Sequence, residues 1–450
     1  MGKELFGTDG IRGVAGQYPL DPETVYAFGA ALGKDAATHT AQDTGQPEIL
    51  IGADTRESSR WIAEMVAGGL ASQGARVRYA GVITTPGVAY LTRTGQFTAG
   101  VMISASHNPY QDNGLKVFGN SGFKLPDDEE HLIEQEIFRL RVIGGTPRQQ
   151  ALTVEEKLSR EYLAYLVGLS SVRLDGVRIA IDCGNGAAYK LAPELFRGLG
   201  ADVVAICCDP NGSNINLHCG ALHLEGLQEA VVEYGAAFGA AFDGDADRAI
   251  FVAASGKVVN GDAVLLAAGR ALQAAGRLTG NTVVSTVMSN LGLENALKAA
   301  GIGMVRTPVG DKYVLEEMVR LGAALGGEQS GHVIFREHST TGDGMLTALR
   351  LFEIARQAGV GLDELTADLE IYPQRLVNVR VREKKGLLEL PEVAAEIQRA
   401  EAELGDTGRV LVRFSGTEPL ARVMVEGSDA KQVELFSASI AETIRRAMGV

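Results

Sequence analysis

The sequence of 450 residues is poor in cysteine, with four, and in tryptophan, with one, and it contains no long hydrophobic run. Four cysteines without a C-x-x-C pair are too few for a disulfide scaffold, so the simplest interpretation is a reduced, cytoplasmic protein. The longest apolar stretches, such as residues 98–103, are far shorter than the roughly 20 residues of a membrane-spanning helix, so we expect no integral membrane protein. The first residues contain no apolar signal region, and Phe6 stands where a myristoylation signal has Ser or Thr. We therefore expect neither export nor a lipid anchor.

A basic surface is also lacking. The chain has 42 Lys and Arg against 56 Asp and Glu, which gives a net charge of −14, and it has no run of basic residues. Proteins whose main task is to bind nucleic acid carry concentrated positive charge, so we do not expect a nucleic-acid partner. Any anionic ligand must be held by local clusters of Arg, Lys and backbone N–H groups. The expected partner is a small molecule, not a nucleic acid or a membrane.

A group of cysteines and histidines in the middle of the chain offers the ligand types of a zinc site. It consists of Cys207, Cys208, His218, Cys219 and His223. Adjacent cysteines on a strand point to opposite faces, which argues against shared coordination. Small, buried, apolar thiols are therefore favoured over a zinc site.

Glycine is abundant, with 56 residues, and falls at the ends of short apolar runs. This rhythm is typical of buried strands that alternate with helices. After Pro373 it changes to a β-α-β-β-α order. We predict an α/β protein with three similar domains, each with a mixed and mostly parallel sheet, and a smaller C-terminal two-layer α+β domain. The predicted domains are residues 1–150, 151–256, 257–372 and 373–450.

One glycine pattern imitates a dinucleotide-binding loop. Gly184-Asn-Gly-Ala-Ala-Tyr189 follows a predicted strand and opens a helix predicted over residues 186–200. Tyr189 occupies the third glycine position, where close packing of helix against strand is needed. A dinucleotide site is therefore not favoured.

The strongest chemical signal is Asp243-Gly-Asp245-Ala-Asp247, at the end of an apolar strand predicted over residues 237–243. Three carboxylates on a tight loop repel one another unless a cation lies between them. Oxygen ligands without Cys or His favour magnesium. An EF-hand is excluded because Arg248 stands where that loop requires glycine. The alternative is a solvated acidic turn.

A second apolar strand, predicted over residues 98–104, leads into a loop that contains Ser106, His107 and Pro109. Small and polar neighbours surround Ser106, and proline stiffens the turn. Ser106 is a candidate for a nucleophilic or phosphate-carrying serine, and an ordinary turn serine is the alternative. Lys116, on the strand that follows, is a candidate general acid or base. Its pKa would have to fall through burial or nearby cations for it to act as a base.

The last predicted domain contains a compact, phosphate-sized anion cradle between two strands. Its two guanidinium groups, two hydroxyl groups and glycine-opened turn come from Arg413, Ser415, Gly416, Thr417 and Arg422. A simple β-turn with surface arginines is the alternative.

Two further loops place polar groups between glycines. Glu328, Ser330 and His332 share one loop, whose side chains suit the paired hydroxyl groups of a sugar. Near the N-terminus, the segment from Phe6 to Arg12 would bring Arg12 to an anion. A plain turn and a glycine-rich structural loop are equal interpretations of these two segments.

In this order, and spread over nearly the whole chain, the five segments resemble the α-D-phosphohexomutase superfamily. The resemblance rests on the sequences FGTDGIRG, ISASHNP, DGDADR, GEQSGH and SGTEP. It implies four domains around a central cleft, which contribute a phosphoserine loop, a metal loop, a sugar loop and a phosphate loop. Gln329 and the segment Thr340-Thr341-Gly-Asp343 resemble the branch that acts on glucosamine phosphates.

The resemblance also implies roles for the residues. Ser106 carries a phosphoryl group and, with the three aspartates, contacts one Mg²⁺. Lys116 handles the hydroxyl proton with His107 and Arg248 nearby, while Arg12 and His332 shield phosphate charge. The implied sugar and phosphate contacts are Glu328, Ser330, His332, Arg413, Ser415, Gly416, Thr417 and Arg422.

The implied reaction interconverts glucosamine 6-phosphate and glucosamine 1-phosphate through glucosamine 1,6-bisphosphate. It would supply amino-sugar nucleotides for cell-wall precursors. A sister mutase for glucose or mannose phosphates and a non-catalytic phosphosugar-binding homologue are the alternatives. The resemblance also suggests a homodimer.

Overall fold

The computed structural model describes residues 4–39, 45–384, 386–415 and 419–449. By their contacts the residues group into two compact units. The first unit comprises Met1–Val287 with Met304–Thr366, and the second comprises Met288–Gly303 with Ala367–Val450.

The first sheet of the first unit has six strands. They are β1 Phe6–Gly7, β2 Gly10–Val14, β3 Glu48–Ala53, β4 Arg76–Val82, β5 Ala99–Ile103 and β6 Asp112–Gly119. Their order is β1-β2-β6-β5-β3-β4, and β3 pairs in parallel with both β4 and β5. Strands β3 and β5 are continuous apolar runs, as expected of central parallel strands. The helices of this region are α1 Pro22–His39, α2 Glu57–Ser72, α3 Thr85–Thr94 and α4 Asp127–Ile143.

The second sheet has five strands. Helices and strands follow as α5 Glu156–Leu169, β7 Arg178–Asp182, α6 Leu191–Gly198, β8 Asp202–Ile206, α7 Glu225–Tyr234, β9 Phe238–Phe242, β10 Ala249–Ala253 and β11 Val258–Val259. The strand order is β11-β10-β9-β7-β8. Strand β7 pairs in parallel with β8 and β9, and β10 returns antiparallel to β9. The loop between β9 and β10 therefore lies at the carboxyl end of a buried strand.

The third sheet has four strands. This region contains α8 Gly261–Ala274, β12 Thr282–Thr286, α9 Leu291–Ala299, β13 Gly303–Thr307, α10 Asp311–Leu321, β14 Leu325–Gly327, β15 Val333–Phe335, α11 Gly344–Ala358 and α12 Leu362–Leu365. The strand order is β13-β12-β14-β15. Strands β14 and β15 form a hairpin, whose loop carries the predicted sugar-binding residues.

The second unit contains an antiparallel sheet covered by helices. Its C-terminal elements are β16 Gln374–Arg380, α13 Pro391–Leu404, β17 Gly408–Phe414, β18 Leu420–Gly427 and α14 Ala430–Met448. Strand β18 lies between β16 and β17. Val393 and Ile397 of α13, Phe436 and Ile440 of α14, and Val423 of β18 share one buried core. This is the predicted β-α-β-β-α order in two layers.

The predicted fold class is confirmed, because three mixed sheets with helices come before a smaller antiparallel sheet that is covered by helices. Among the described residues, no helix combines the length and apolar character required to cross a bilayer.

Candidate active site

The Ser106 loop and the Asp243 loop meet in the first unit. Ser106 follows β5 and Asp243 follows β9, at the strand ends where α/β proteins place ligands. The hydroxyl of Ser106 donates a hydrogen bond to a carboxylate oxygen of Asp243 at 2.6 Å. Ser106 is 1% exposed and has a left-handed φ of +53°. Such a backbone conformation is strained for a residue other than glycine, and strain of this kind is typical of functional loops.

Two side chains from other segments hold the backbone of the Ser106 loop. The guanidinium of Arg56 donates to the carbonyl of Ser106 at 3.1 Å and to that of Asn108 at 2.6 Å. Arg56 forms an ion pair with Asp54, and both of these side chains are fully buried. The side-chain amide of Asn216 donates to the same two carbonyls at 2.9 Å and 3.2 Å. The conformation of the serine loop is therefore fixed by both neighbouring sheets.

Glycine at position 244 allows the two loops to approach. A β-carbon there would collide with the carbonyl oxygen of Ser106 and would lie 2.9 Å from the side-chain nitrogen of Asn216. Any side chain at this position would push the aspartate loop away from the serine.

Asp243, Asp245 and Asp247 form a buried carboxylate group. One oxygen of each lies within 4.8 Å of the others. Burial, together with the charges of Asp247 and Asp245, raises the pKa of Asp243 well above its ordinary value. Within the described part of the chain, the Oδ1 atoms of Asp245 and Asp247 are buried and accept no hydrogen bond. Buried carboxylate oxygens without donors are the ligands that a hard divalent cation requires, so these residues fit magnesium.

Lys116, on β6, is buried among carboxylates. Its Nζ lies 2.8 Å from Asp245, 3.0 Å from Asp9 and 3.5 Å from Asp247. Burial by itself lowers the pKa of Lys116, but the three carboxylates outweigh burial and raise the pKa well above its ordinary value. This direction is opposite to the lowered pKa that a general base requires. The ammonium form is therefore the resting form while the carboxylates face it.

A chain of charges extends from Lys116 to helix α10. Asp9 forms ion pairs with Arg12 and Lys124, and Lys124 also pairs with Asp311. Burial opposes the charge of Lys124, but Asp311 and Asp9 raise its pKa. The N-terminal loop that carries Arg12 is thus tied to the third sheet's region through alternating charges.

His107 and Arg248 flank the serine and the aspartates. The Nδ1 atom of His107 lies 3.4 Å from the Ser106 hydroxyl. Burial, with the positive charges of Arg248 and Arg12, lowers the pKa of His107 to about 4. Its imidazole is therefore neutral near pH 7. The backbone N–H of Arg248 donates to Asp243 at 3.2 Å.

The hairpin loop between β14 and β15 brings the predicted sugar-binding residues close to the aspartate group. The Ser330 hydroxyl donates to the Glu328 carboxylate at 3.3 Å. His332 is 2% exposed and lies between Asp247, at 3.6 Å, and Asp311, at 3.7 Å. His332 therefore joins the sugar loop to the aspartate group.

The second unit contains the predicted anion cradle. Arg413 and Arg422 are direct cross-strand neighbours on β17 and β18. Burial and the charge of Arg422 lower the pKa of Arg413. Ser415 is 3% exposed, and its amide donates to the Leu420 carbonyl at 2.8 Å. Two residues of the cradle lie outside the described residues: Gly416 and Thr417.

The predicted residues of the first unit thus come together, whereas the arginine pair belongs to the second unit. Several residues of the site were not predicted from the sequence. They are Asp9, Arg56, Lys124, Asn216 and Asp311. Arg56 offered a signal, because Asp54-Thr-Arg56 directly follows β3, which is adjacent to the strand that precedes Ser106.

Four family models match consecutive parts of the chain. They are described as Phosphoglucomutase/phosphomannomutase alpha/beta/alpha domains I, II and III and C-terminal domain, and they match residues 3–142, 160–256, 260–372 and 376–443. The chain is 81% identical over 449 residues to a Phosphoglucosamine mutase from Solibacter usitatus, and the match covers 100% of both chains.

Solved structures of this family share the fold. A phosphoglucomutase/phosphomannomutase family protein from Burkholderia thailandensis has a TM-score of 0.81 at 22% identity, over 99% of both chains. An Aspergillus fumigatus N-acetylphosphoglucosamine mutase, in complex with GlcNAc-6P and magnesium, has a TM-score of 0.64 at 19% identity, over 99% of this chain and 96% of that chain. Because all four family models match in order and a relative is 81% identical over its full length, the chain belongs to the phosphoglucomutase/phosphomannomutase family and groups within it with the phosphoglucosamine mutases.

Proposed function

We propose that this protein is a mutase that interconverts glucosamine 6-phosphate and glucosamine 1-phosphate. One observation carries the proposal beyond family membership: the buried hydroxyl of Ser106 contacts a group of three buried carboxylates. A hydroxyl beside a cation site is the arrangement that phosphoryl transfer requires, since this reaction depends mainly on positioning and charge neutralisation.

Ser106 is the proposed carrier of the phosphoryl group. Its left-handed backbone and the donors on its carbonyl, Arg56 and Asn216, fix the direction of its side chain. A fixed carrier reduces the entropy that must be lost when donor and acceptor align. Phosphorylated Ser106 is therefore the proposed resting state of the active enzyme.

Asp243, Asp245 and Asp247, together with the phosphoryl group on Ser106, are the proposed ligands of one magnesium ion. Magnesium bound there would neutralise negative charge on the phosphoryl group as it moves. The two buried Oδ1 atoms of Asp245 and Asp247 support this assignment.

Lys116 is proposed to handle the proton of the sugar hydroxyl. If Asp245 and Asp247 were engaged as ligands, they would offset less of the ammonium charge, and burial would then be opposed mainly by Asp9, so the pKa of Lys116 would be less strongly raised. His107 is neutral and lies 3.4 Å from the Ser106 oxygen, so it is placed to donate a hydrogen bond to that group.

The sugar is proposed to bind through Glu328 and Ser330, and its idle phosphate through Arg413, Ser415, Gly416, Thr417 and Arg422. Paired guanidinium groups favour a dianionic phosphate. Arg12, Arg248 and His332 are proposed to shield charge near the transferred group.

The proposed cycle has two transfers. In the first, the bond between the Ser106 oxygen and phosphorus breaks as O1 of glucosamine 6-phosphate bonds to phosphorus; the O1 proton leaves, and the serine oxygen takes up a proton. The product is glucosamine 1,6-bisphosphate. After it reorients, the phosphoryl group on O6 returns to Ser106 by the reverse steps, and glucosamine 1-phosphate remains.

Substrate preference tests the proposal directly. Purified full-length protein is assayed with magnesium by ³¹P NMR on the 6-phosphates of glucosamine, glucose and mannose. We expect the highest kcat/KM for glucosamine 6-phosphate. A preference for glucose or mannose would identify a sister mutase, and binding without turnover would identify a non-catalytic homologue.

Ser106→Ala should lower kcat by at least about a thousandfold, because the carrier of the phosphoryl group is removed. The exposed Ser121→Ala is the matched control and should turn over normally. Intact mass and peptide mapping should find one phosphate on Ser106 in the freshly purified wild-type protein. Retained activity in Ser106→Ala would refute the phosphoserine role.

We also propose a cytoplasmic location, which the four free thiols support. The supply of amino-sugar nucleotides is the proposed use of the product. A homodimer stays a prediction from the family resemblance, and light scattering in solution measures it.

A further inference from the structure

Two thiols and a carboxylate meet outside the active site. Sulfur atoms of Cys207 and Cys219 and a carboxylate oxygen of Asp182 lie within 4.8 Å of one another. Cys207 directly follows β8, Cys219 comes twelve positions later, and Asp182 ends β7. The segment between the two cysteines is therefore a loop whose two ends lie close together. We call the cluster of Cys207, Cys219 and Asp182 the thiol neck. The other cysteine and histidines weighed as zinc ligands, Cys208, His218 and His223, do not join this cluster.

Hydrogen bonds fix the backbone around the thiol neck. The carboxylate of Asp182 accepts from the amides of Gly184 at 2.8 Å and Gly220 at 2.9 Å. The carbonyl of Cys207 accepts from the amide of Asn185 at 2.7 Å, and Cys207 has a left-handed φ of +49°. The side chain of Asn185 also lies 3.8 Å from the sulfur of Cys219. Both ends of the loop are thus held in a defined arrangement, and the Cys207 end is strained.

The loop closed by the thiol neck reaches the catalytic serine. Asn216, three residues before Cys219, holds the carbonyl of Ser106 at 2.9 Å and that of Asn108 at 3.2 Å. Its own amide donates to the carbonyl of Gly184 at 2.8 Å. A change at the neck is therefore passed through a short, hydrogen-bonded segment to the backbone of Ser106.

The two thiols differ in the way that an exchange reaction requires. Cys207 is half-buried and reachable from solvent, whereas Cys219 is 2% exposed. A hydrogen bond from the Cys219 thiol lowers the pKa of Cys207, and burial and the neighbouring Asp182 carboxylate partly oppose this shift. By contrast, burial raises the pKa of Cys183 well above its ordinary value. Cys207 is therefore the attacking thiol, and Cys219 is placed to resolve the product.

We propose that Cys207 and Cys219 form a reversible disulfide that slows phosphoryl transfer by displacing Asn216. This inference concerns regulation and rests on the proposed function. The oxidant is a low-molecular-weight disulfide. The Cys207 thiolate attacks it, forms a mixed disulfide and releases one thiolate; the Cys219 sulfur then attacks Cys207, loses its proton and releases the second thiol. Two protein thiols are oxidised, and one small disulfide is reduced to two thiols.

The bond changes the geometry of the thiol neck. A disulfide brings its sulfur atoms to about 2 Å, which is much closer than a hydrogen-bonded sulfur contact. Since Asp182 and Asn185 hold the backbone on the side of β7, we expect the loop that contains Asn216 to take up the movement. Displacement of Asn216 loosens the carbonyl of Ser106, whose position the transfer step depends on.

The test uses full-length protein incubated with oxidised glutathione in the presence of a chelator. The chelator is then exchanged for a magnesium-containing buffer before activity is measured, and peptide mapping locates the disulfide. We expect a Cys207–Cys219 disulfide and a fall in kcat of at least about threefold, since small displacements of a reacting group cost turnover. Dithiothreitol should restore kcat. In Cys207→Ser and Cys219→Ser, oxidised glutathione should not lower kcat. In the matched control Cys208→Ser, it should lower kcat as in the wild type.

Three results would overturn the proposal. One is a disulfide that joins other cysteines, or none at all, at an oxidant concentration that oxidises exposed thiols. Another is a Cys207–Cys219 disulfide that leaves kcat unchanged. The third is stoichiometric zinc in the protein purified without chelator that is lost in both Cys207→Ser and Cys219→Ser. If the reduced protein has no mutase activity, the proposed function fails, and the mapped disulfide still reports separately on the thiol pair.

Discussion

At Asp343, burial outweighs hydrogen bonds that favour the ionised carboxylate. Its oxygens accept from the hydroxyl of Tyr162 at 2.7 Å and from the amide of Leu346 at 2.9 Å. Burial nevertheless raises the pKa of Asp343 from 3.8 to about 6. The folded state therefore binds this proton more tightly than the unfolded state, and the stability due to Asp343 falls as pH rises from about 4 to about 6.

Asp343→Asn should remove the fall in folding stability that ionisation of Asp343 causes as pH rises. Asparagine keeps an oxygen for the Leu346 amide but does not ionise, so the stability of the variant relative to wild type should rise by about 3 kcal/mol between pH 4 and pH 7. Unfolding midpoints measured across this pH range test the difference. Tyr162→Phe removes a donor to the ionised form and should steepen the fall in stability. Parallel pH profiles for Asp343→Asn and wild type would contradict the argument.

Single residues show where sequence reasoning succeeds and where it stops. That Asp243 and Ser106 meet could be expected, because each lies in a short motif that directly follows an apolar strand. Lys124 and Asp311 could not, because their charges act on each other across 187 positions of the chain. For the same reason the direction of the Lys116 pKa was not predictable: it depends on Asp9, which comes from a distant strand connection.

Among the secondary-structure elements, buried strands were the most predictable. The strand predicted over residues 98–104 matches β5, Ala99–Ile103, because its run of apolar residues is continuous. The helix predicted over residues 186–200 begins only at Leu191, and its first five residues were wrongly assigned. Here Asn185 turns with φ +48° and donates its amide to Cys207, a tertiary bond that the local sequence does not reveal.

The connection between β9 and β10 is the element on which the site depends most. Gly244→Ala places a methyl group against the carbonyl of Ser106 and the amide of Asn216, so the loop must move away from the serine. We expect kcat/KM to fall by about a hundredfold, the effect of displacing reacting groups by about 1 Å. The fold should persist, because the loop lies outside the strands.

Helix α5 offers the matched control for that experiment. A β-carbon at Gly168 meets no atom within 4 Å, and alanine favours the helix. Gly168→Ala should therefore keep wild-type kcat/KM and raise the unfolding temperature slightly. Equal activity in Gly244→Ala and Gly168→Ala would show that the contact between the two loops does not matter for turnover.

On the scale of the whole molecule, the residues proposed for phosphoryl transfer and those proposed for the anion cradle belong to different compact units. The first unit carries the serine, the aspartates and Lys116, and the second carries the pair of arginines on β17 and β18. The order of motifs along the chain placed these two groups of residues in different predicted domains, and the predicted fold class is confirmed. Local patterns cannot predict the lowered pKa of Arg413. It depends on burial and on the repulsion from Arg422, which the cross-strand register places opposite Arg413.

Arg422→Gln should separate substrate binding from metal binding. Losing one charge-assisted contact to a phosphate costs about 1.5–3 kcal/mol, so KM for glucosamine 6-phosphate should rise by between about tenfold and a hundredfold. Magnesium affinity, measured by calorimetry, should stay unchanged because the aspartates belong to the first unit. Arg375→Gln, which removes an exposed arginine paired with Glu434 in the same unit, is the control and should leave KM unchanged. An unchanged KM in Arg422→Gln would remove the arginine pair from the substrate site, since a phosphate held there must lose affinity when one of its two cations is replaced.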